Sequence, residues 1–271
     1  MSNSWFNTKP RGEGRVALVT GGGMPDGINP GDPIGFGAQI CLRLGILDEY
    51  HVVVTDMNTE TAKNTVNVIK SEGGSASYAT LDVTDEENIK SVMADVEKRF
   101  ARLDTICNNA GFFPIRSMDD LTADDFEKAV AVNMFGPTFV SKHGIELMKK
   151  SGDGGVITII SSDAGLKAAQ VCAVEYSMTK AAVNKLAWQI CREYQSSHGI
   201  RGIPICPGPA NTPGLHKVWS SDQIEGMLRQ LFSGKLIDPD EVAELVSLAS
   251  DPKMKSWTLT SLNISGGLAQ Y

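Results

Sequence analysis

Short continuous apolar runs alternate along the chain with longer stretches in which apolar residues recur every three or four positions. The runs at 16–20, 52–56, 78–81, 105–108, 156–161, 203–206 and 259–264 predict strands, and the stretches 59–71, 86–100, 123–131, 136–150, 175–194 and 239–249 predict helices. Strands that are apolar throughout are buried on both faces, and helices between them cover those faces. The pattern therefore predicts an α/β fold, a doubly wound parallel sheet of about seven strands in three α/β/α layers. No Pro/Gly/Ser-rich linker, internal repeat or low-complexity tract divides the chain, so 1–271 reads as one domain behind an N-terminal extension at 1–14.

The composition narrows the class of partner. A chain of 271 residues with 42% hydrophobic and 21% charged residues can bury a large core. Its net charge of −7 argues against nucleic acid and against anionic membrane surfaces. No apolar run approaches the roughly 20 residues of a membrane helix, and the segment from Met1 to Arg15 is polar, unlike a signal peptide. The five cysteines, Cys41, Cys107, Cys172, Cys191 and Cys206, are odd in number and lack metal-ligand spacing. Reduced thiols in a cytoplasmic protein are the expectation. The four histidines are equally dispersed, and no metal is expected.

In a doubly wound sheet the ligand lies beyond the carboxyl ends of the strands. After the first strand, Gly21 is followed by a long detour and then by Gly35-Phe36-Gly37 opening an amphipathic helix at Ala38–Leu44. Glycines there let backbone approach a pyrophosphate at a helix N-terminus. Gly21, Gly35 and Gly37 are therefore the phosphate-facing glycines, and 24–33 is an insertion. The second strand ends in Asp56, beside Met57 and Asn58, with no arginine to receive a 2′-phosphate. That favours NAD over NADP. Asp82-Val83 suits an adenine edge contact or caps the following helix. Asn108-Asn109-Ala110-Gly111 offers small residues over which a cofactor could lie. Tyr176 and Lys180 stand one helical turn apart, on one face. A phenol with a pKa near 10 is about 0.1% ionised at neutral pH. A nearby ammonium favours the phenolate, giving a group poised for alcohol–carbonyl proton transfer.

Thr20-Gly21…Gly35-x-Gly37, Asn108-Asn109-Ala110-Gly111, Asn133, Ser161-Ser162, Tyr176-x3-Lys180 and Pro207-Gly208 occur in the order of the short-chain dehydrogenase/reductase family, which the chain resembles from about Arg15 to Gly267. The resemblance implies a Rossmann-type fold and a catalytic tetrad of Asn133, Ser162, Tyr176 and Lys180. Tyr176 would exchange the proton with the substrate oxygen and Ser162 would steady that oxygen. Lys180 would bind the nicotinamide ribose and depress the tyrosine pKa, and Asn133 would hold a water linking the lysine to solvent. The interval from Ser162 to Tyr176 is one residue longer than usual, which leaves Ser161 as the alternative serine. The loop Pro207-Gly208-Pro209-Ala210-Asn211-Thr212 would hold the nicotinamide carboxamide and pyrophosphate through Ala210 and Thr212. Leu259 stands where the family usually has glycine.

These residues imply an NAD-dependent interconversion of a secondary alcohol and a ketone. Segments expected to line the pocket are Phe112–Ile115, Leu166, Val171–Val174 and Leu215–Trp219, within a substrate region at about 209–235. Their apolar character favours a small alicyclic, aromatic or terpenoid-like alcohol. An enoyl reductase, a sugar or polyol dehydrogenase and a non-catalytic cofactor-binding regulator are the alternatives. The helices at 136–150 and 175–194 would pair in the family's usual homotetramer, or in a homodimer. The insertion at 24–33, with Pro30, Pro33, Gly27 and Gly31, reads as a fixed series of turns covering the adenosine side of the cofactor, clear of the substrate.

Overall fold

Alternate residues of the first strand, β1 (Val16–Thr20), enter two separate cores. Val16 and Leu18 join one apolar cluster, and Ala17 and Val19 join another on the opposite face. A strand apolar at every position is stable only between two layers, and each fully buried Val, Leu or Ile contributes about 1.5–3 kcal/mol. The computed structural model describes residues 10–168 and 173–268. In it, β1 is flanked by β2 (His51–Asp56) and β4 (Thr105–Asn108), with β3 (Ser75–Thr80), β5 (Gly155–Ile160), β6 (Ile200–Pro207) and β7 (Leu262–Ile264) completing one sheet. The order is β3-β2-β1-β4-β5-β6-β7, and every pairing is parallel. The direction of winding reverses between β1 and β4, the place where such sheets open a crevice.

Three helices, α1 (Phe36–Leu42), α2 (Thr59–Ser71) and α9 (Pro239–Ser250), cover one face through Ile40, Val66, Ile69, Val242 and Val246. The other face is covered by α3 (Glu86–Phe100), α5 (Gly136–Ser151) and α6 (Val174–His198), which contribute Val92, Met148 and Val183. A further helix, α4 (Ala123–Val130), precedes α5. The region 209–235 holds two short helices, α7 (Pro213–Val218) and α8 (Ser221–Leu228). No helix among the described residues is long and apolar enough to cross a membrane.

Several boundaries differ from the sequence expectation. β3 begins three residues earlier and omits Leu81, because it is an edge strand and Ala76 is its one buried side chain. Its start is fixed by pairing with β2, reinforced by the ring of His51 bonding to the hydroxyls of Ser75 and Ser77 at 2.7 and 3.0 Å. Helices α1 and α4 continue into π-helical turns at Arg43–Leu47 and Ala131–Phe135, which apolar periodicity does not signal.

β7 is confined to Leu262–Ile264 because Leu259 takes φ 50°, outside the strand region. A left-handed conformation costs a residue with a side chain about 1–2 kcal/mol. The Leu259 side chain is 53% exposed and has little burial to lose. Leu259→Gly should therefore stabilise the protein by about 0.5–1 kcal/mol, after allowance for the extra chain entropy of glycine. Calorimetry should show a higher Tm. A lower one would mean that leucine packing against α6 outweighs the backbone strain.

The insertion at 24–33 is anchored at both ends. Met24 and Ile34 are buried with Ala38 of α1, with Val68 of α2 packed against them. The Met24 N–H donates to the Thr61 carbonyl at 3.1 Å, and the Asn64 side chain donates to that of Met24. Between the anchors, Asp32 accepts from the Asn29 N–H at 2.8 Å in an exposed turn.

Candidate active site

The site is assembled at the reversal point by a clamp between β1 and β4. The Thr20 hydroxyl accepts from the N–H groups of Asn109 and Ala110, both at 3.0 Å. The Asn109 side chain donates in return to the carbonyls of Thr20 and Gly21, at 3.0 and 2.9 Å. Gly21 then turns the chain at φ 63°. A Cβ on Gly37 would stand 2.0 Å from the Gly21 carbonyl oxygen, so glycine alone lets α1 approach this close. Helix α1 starts at Gly35 with no capping side chain, whereas α2, α3, α4, α7, α8 and α9 are each capped by a side-chain oxygen. Its first-turn amides and positive dipole end are left for an anion. This cradle fits the pyrophosphate of a dinucleotide.

Beyond β5 the chain makes a helical turn at Asp163–Gly165 pressed against α6. A Cβ on Gly165 would lie 2.8 Å from the backbone carbon of Lys180. The Ser161 hydroxyl donates to the Lys180 carbonyl at 3.0 Å, so Ser161 is spent on this junction. Ser162 points the other way, toward the Tyr176 phenol. Lys180, 5% exposed, donates from Nζ to the Ile160 carbonyl at 2.7 Å. Its nitrogen lies 5.4 Å from the Tyr176 ring centroid. Ser162, Tyr176 and Lys180 thus meet in one cavity of about 470 Å³. Gly21, Gly35, Phe36, Asn109, Ala110 and Gly111 line its cofactor side, and Gly208, Ala210 and Thr212 line its far rim.

A family model described as enoyl-(acyl carrier protein) reductase matches residues 35–269. An uncharacterized oxidoreductase of Thermotoga maritima is 33% identical over 260 residues, 94% of this chain and 97% of that protein. The chain belongs to the short-chain dehydrogenase/reductase family. A 2,5-dichloro-2,5-cyclohexadiene-1,4-diol dehydrogenase of Sphingobium indicum is 32% identical over 254 residues, 94% of this chain and 96% of its own length. Among solved structures, a gluconate 5-dehydrogenase of Burkholderia cenocepacia in complex with NADP and tartrate shares the fold. It has a TM-score of 0.84 at 24% identity, covering 94% of this chain and 95% of that one.

Asn133, Asp56, Met57, Asp82, Val83 and Pro207, also singled out in the sequence of this short-chain dehydrogenase/reductase, lie outside the cavity wall. Asn133, in the π-helical turn, is 1% exposed and braces the loop after β4. Its Oδ1 accepts from the Phe112 N–H, and its Nδ2 donates to the Phe112 carbonyl and the Thr179 hydroxyl. Asp56 accepts from the N–H groups of Gly23 and Asn58, both at 3.0 Å. Met57 beside it is 75% exposed. Asp82 forms a turn with Thr84, and the cap of α3 is Asp85. Val83 packs where Gly136 leaves room, and Pro207 pairs with Ile264. Thr212 lines the cavity, and its hydroxyl caps α7 at the Leu215 N–H.

Of the expected substrate segments, Phe113, Leu215 and Trp219 line the cavity, while Phe112, Pro114, Ile115, Leu166, Ala173 and Val174 do not. His216 bonds Asn211 at 2.7 Å, and Lys217 and Val218 of α7 also stay off the wall. Residues 171 and 172 lie outside the described residues. Asp163, Met227 and Leu268 are additional lining residues. The position of Asp163 directly after Ser162 was the signal that could have found it.

The electrostatics correct one expectation. Burial pushes the Tyr176 phenol up to about 12, with Ser162 pulling it back and Asp163 pushing it further. The resemblance implied a depressed value. Burial of the phenol sets this direction, and burial also lowers the Lys180 ammonium, to about 8. An unfolded lysine titrates near 10.4. Between about pH 8 and 10 the folded state therefore holds fewer protons, and Lys180 adds stability as pH rises. From pH 7 to 9 this amounts to about 1 kcal/mol. Urea unfolding at the two pH values should show wild type gaining that much relative to Lys180→Met. A difference independent of pH would show that the ammonium is not desolvated.

Proposed function

We propose that the protein is an NAD-dependent alcohol dehydrogenase/ketoreductase that interconverts a secondary alcohol and a ketone, with Tyr176 as general acid/base. The observation that carries this reading is the meeting of Ser162, Tyr176 and Lys180 in a cavity that also borders the glycine cradle. When bound, the nicotinamide supplies hydride exchange with the carbinol carbon. The remaining work belongs to the chain. A phenol at about 12 is protonated at neutral pH and is suited to give its proton to a carbonyl oxygen. The Ser162 hydroxyl beside it, which donates to Asp163 in the free protein, would turn its proton to the same oxygen and steady it. Lys180 holds the cofactor ribose and supplies positive charge that favours the phenolate in the oxidative direction. Asn133 positions the Phe112 backbone, and with it the loop that carries Phe113 over the phenol.

Phe113, Ile160, Leu215, Trp219, Met227 and Leu268 give the cavity a mostly apolar wall, which supports a small alicyclic, aromatic or terpenoid-like alcohol. The Sphingobium relative, by its name, acts on a cyclic diol. The family model's description favours a second reading, enoyl reduction, and the four-residue spacing of Tyr176 and Lys180 opposes it. Asp56 supports NAD, although the Burkholderia structure holds NADP. We further read 1–271 as one cytoplasmic cofactor-binding domain assembling through α5 and α6 as a homotetramer or homodimer. The turns at 24–33 run beside the first turn of α2, on the side of Asp56, and are read as a cover for the adenosine half. Initial rates over a panel of cyclic and aromatic secondary alcohols, polyols and enoyl thioesters test the reaction class. NAD-linked oxidation of the ring alcohols is expected, and turnover restricted to enoyl thioesters or polyols would overturn it.

A further inference from the structure

Among the described residues, two charged side chains line the cavity, Lys180 and Asp163. Lys180 commits its nitrogen to the Ile160 carbonyl beneath Tyr176. Asp163 stands beside Ser162 with its side chain 15% exposed. Its Oδ1 accepts from the Ser162 hydroxyl at 3.2 Å, and its Oδ2 lies 3.6 Å from Lys167 Nζ. Lys167 is absent from the cavity wall. Its ammonium is bound by a 2.5 Å hydrogen bond to the carbonyl of Leu268, a residue that does line the cavity. The carboxylate thus belongs to the cavity wall and its counter-ion does not.

We propose that Asp163 is a specificity-determining residue that selects substrates by charge, admitting neutral ring alcohols able to donate a hydrogen bond to it and rejecting those that carry a carboxylate near the reacting carbon. The inference rests on the alcohol–ketone reading for the identity of the reacting carbon. Three facts support it. The carboxylate is largely enclosed, so a like charge placed beside it is poorly screened. Burial raises its pKa, and the Lys167 ammonium beside it is the largest opposing influence, so the carboxylate has one cation in support. A carboxylate offers about four lone-pair sites, and among the described residues only Ser162, Lys167 and the Ala164 N–H stand against this one, so acceptor capacity remains. The remaining lone pairs suit a second hydroxyl or an amide of the ligand.

The test is calorimetric titration of the NADH-loaded protein with two ring compounds of matched shape, cyclohexanecarboxamide and cyclohexanecarboxylate. The wild type should bind the amide at least ten-fold more tightly than the acid. Asp163→Asn should bring the two within about three-fold, mainly by improving the acid. Lys167→Met should widen the gap, because it removes the cation beside the anion, and this arm stands even if Asp163→Asn fails to fold. Equal or tighter binding of the acid by the wild type overturns the inference, as does a gap unmoved by both variants. Binding of neither probe also counts against it. Neither probe is oxidised, so the outcome separates from the reaction class. A charge gap without alcohol turnover would defeat only the proposed reaction, and turnover without a gap would defeat only the role of Asp163.

Discussion

Tyr176→Phe should abolish nearly all turnover while NADH binding stays within a few-fold of wild type. The aromatic ring packs edge-on against Phe113 with centroids 4.6 Å apart, a contact that phenylalanine keeps. The hydroxyl alone is lost, and with it the proton transfer for which it is invoked. Such transfers contribute about 10²–10⁴ in rate. The glycine cradle is built from β1, β4 and α1, so the phenol is expected to make little of the cofactor contact. Steady-state kcat and fluorescence titration with NADH measure the two halves of the expectation. Retention of a tenth of wild-type kcat would remove Tyr176 from the role of general acid/base.

The second large effect concerns Asp56. Its carboxylate is held by the N–H groups of Gly23 and Asn58 at the end of β2, and a Cβ on Gly23 would come within 2.6 Å of it. A group fixed this firmly cannot swing away from a 2′-phosphate, and the adjacent Met57 and Asn58 offer that phosphate no positive charge. We expect kcat/KM with NAD to exceed that with NADP by at least about 100-fold, which corresponds to about 2.7 kcal/mol. Asp56→Ala should narrow the gap chiefly by weakening NAD, because the ribose loses its acceptor and the Gly23 amide loses its partner. Equal use of the two cofactors by the wild type would refute the assignment.

The sequence expressed the fold best where local pattern and tertiary packing agree. β1, β4, α2 and α3 have the boundaries that their apolar patterns predict, because these elements are either buried on both faces or capped by a side chain at Asn58 and Asp85. β3 was misplaced because an edge strand draws its limits from pairing more than from burial. Helices α7 and α8 were hidden because they are short and mostly exposed, with Met227 the one buried side chain between them. At the site, the motif order identified the residues that gather around Tyr176. The choice between Ser161 and Ser162 needed the contact that turns Ser161 onto α6. The direction of the tyrosine shift was equally out of reach, since desolvation depends on the folded surroundings of the ring and leaves no mark in the local sequence.

That same contact bears on how this enzyme scaffold can diversify. Ser162 and Tyr176 are separated along the chain by thirteen residues. Their mutual placement is nevertheless fixed by backbone touching backbone, at Gly165 against Lys180 and through the Ser161 hydroxyl. The length of that connection is therefore not what sets the distance between the two side chains. A change in the length of that segment is thus expected to leave the placement of Ser162 against Tyr176 unaltered.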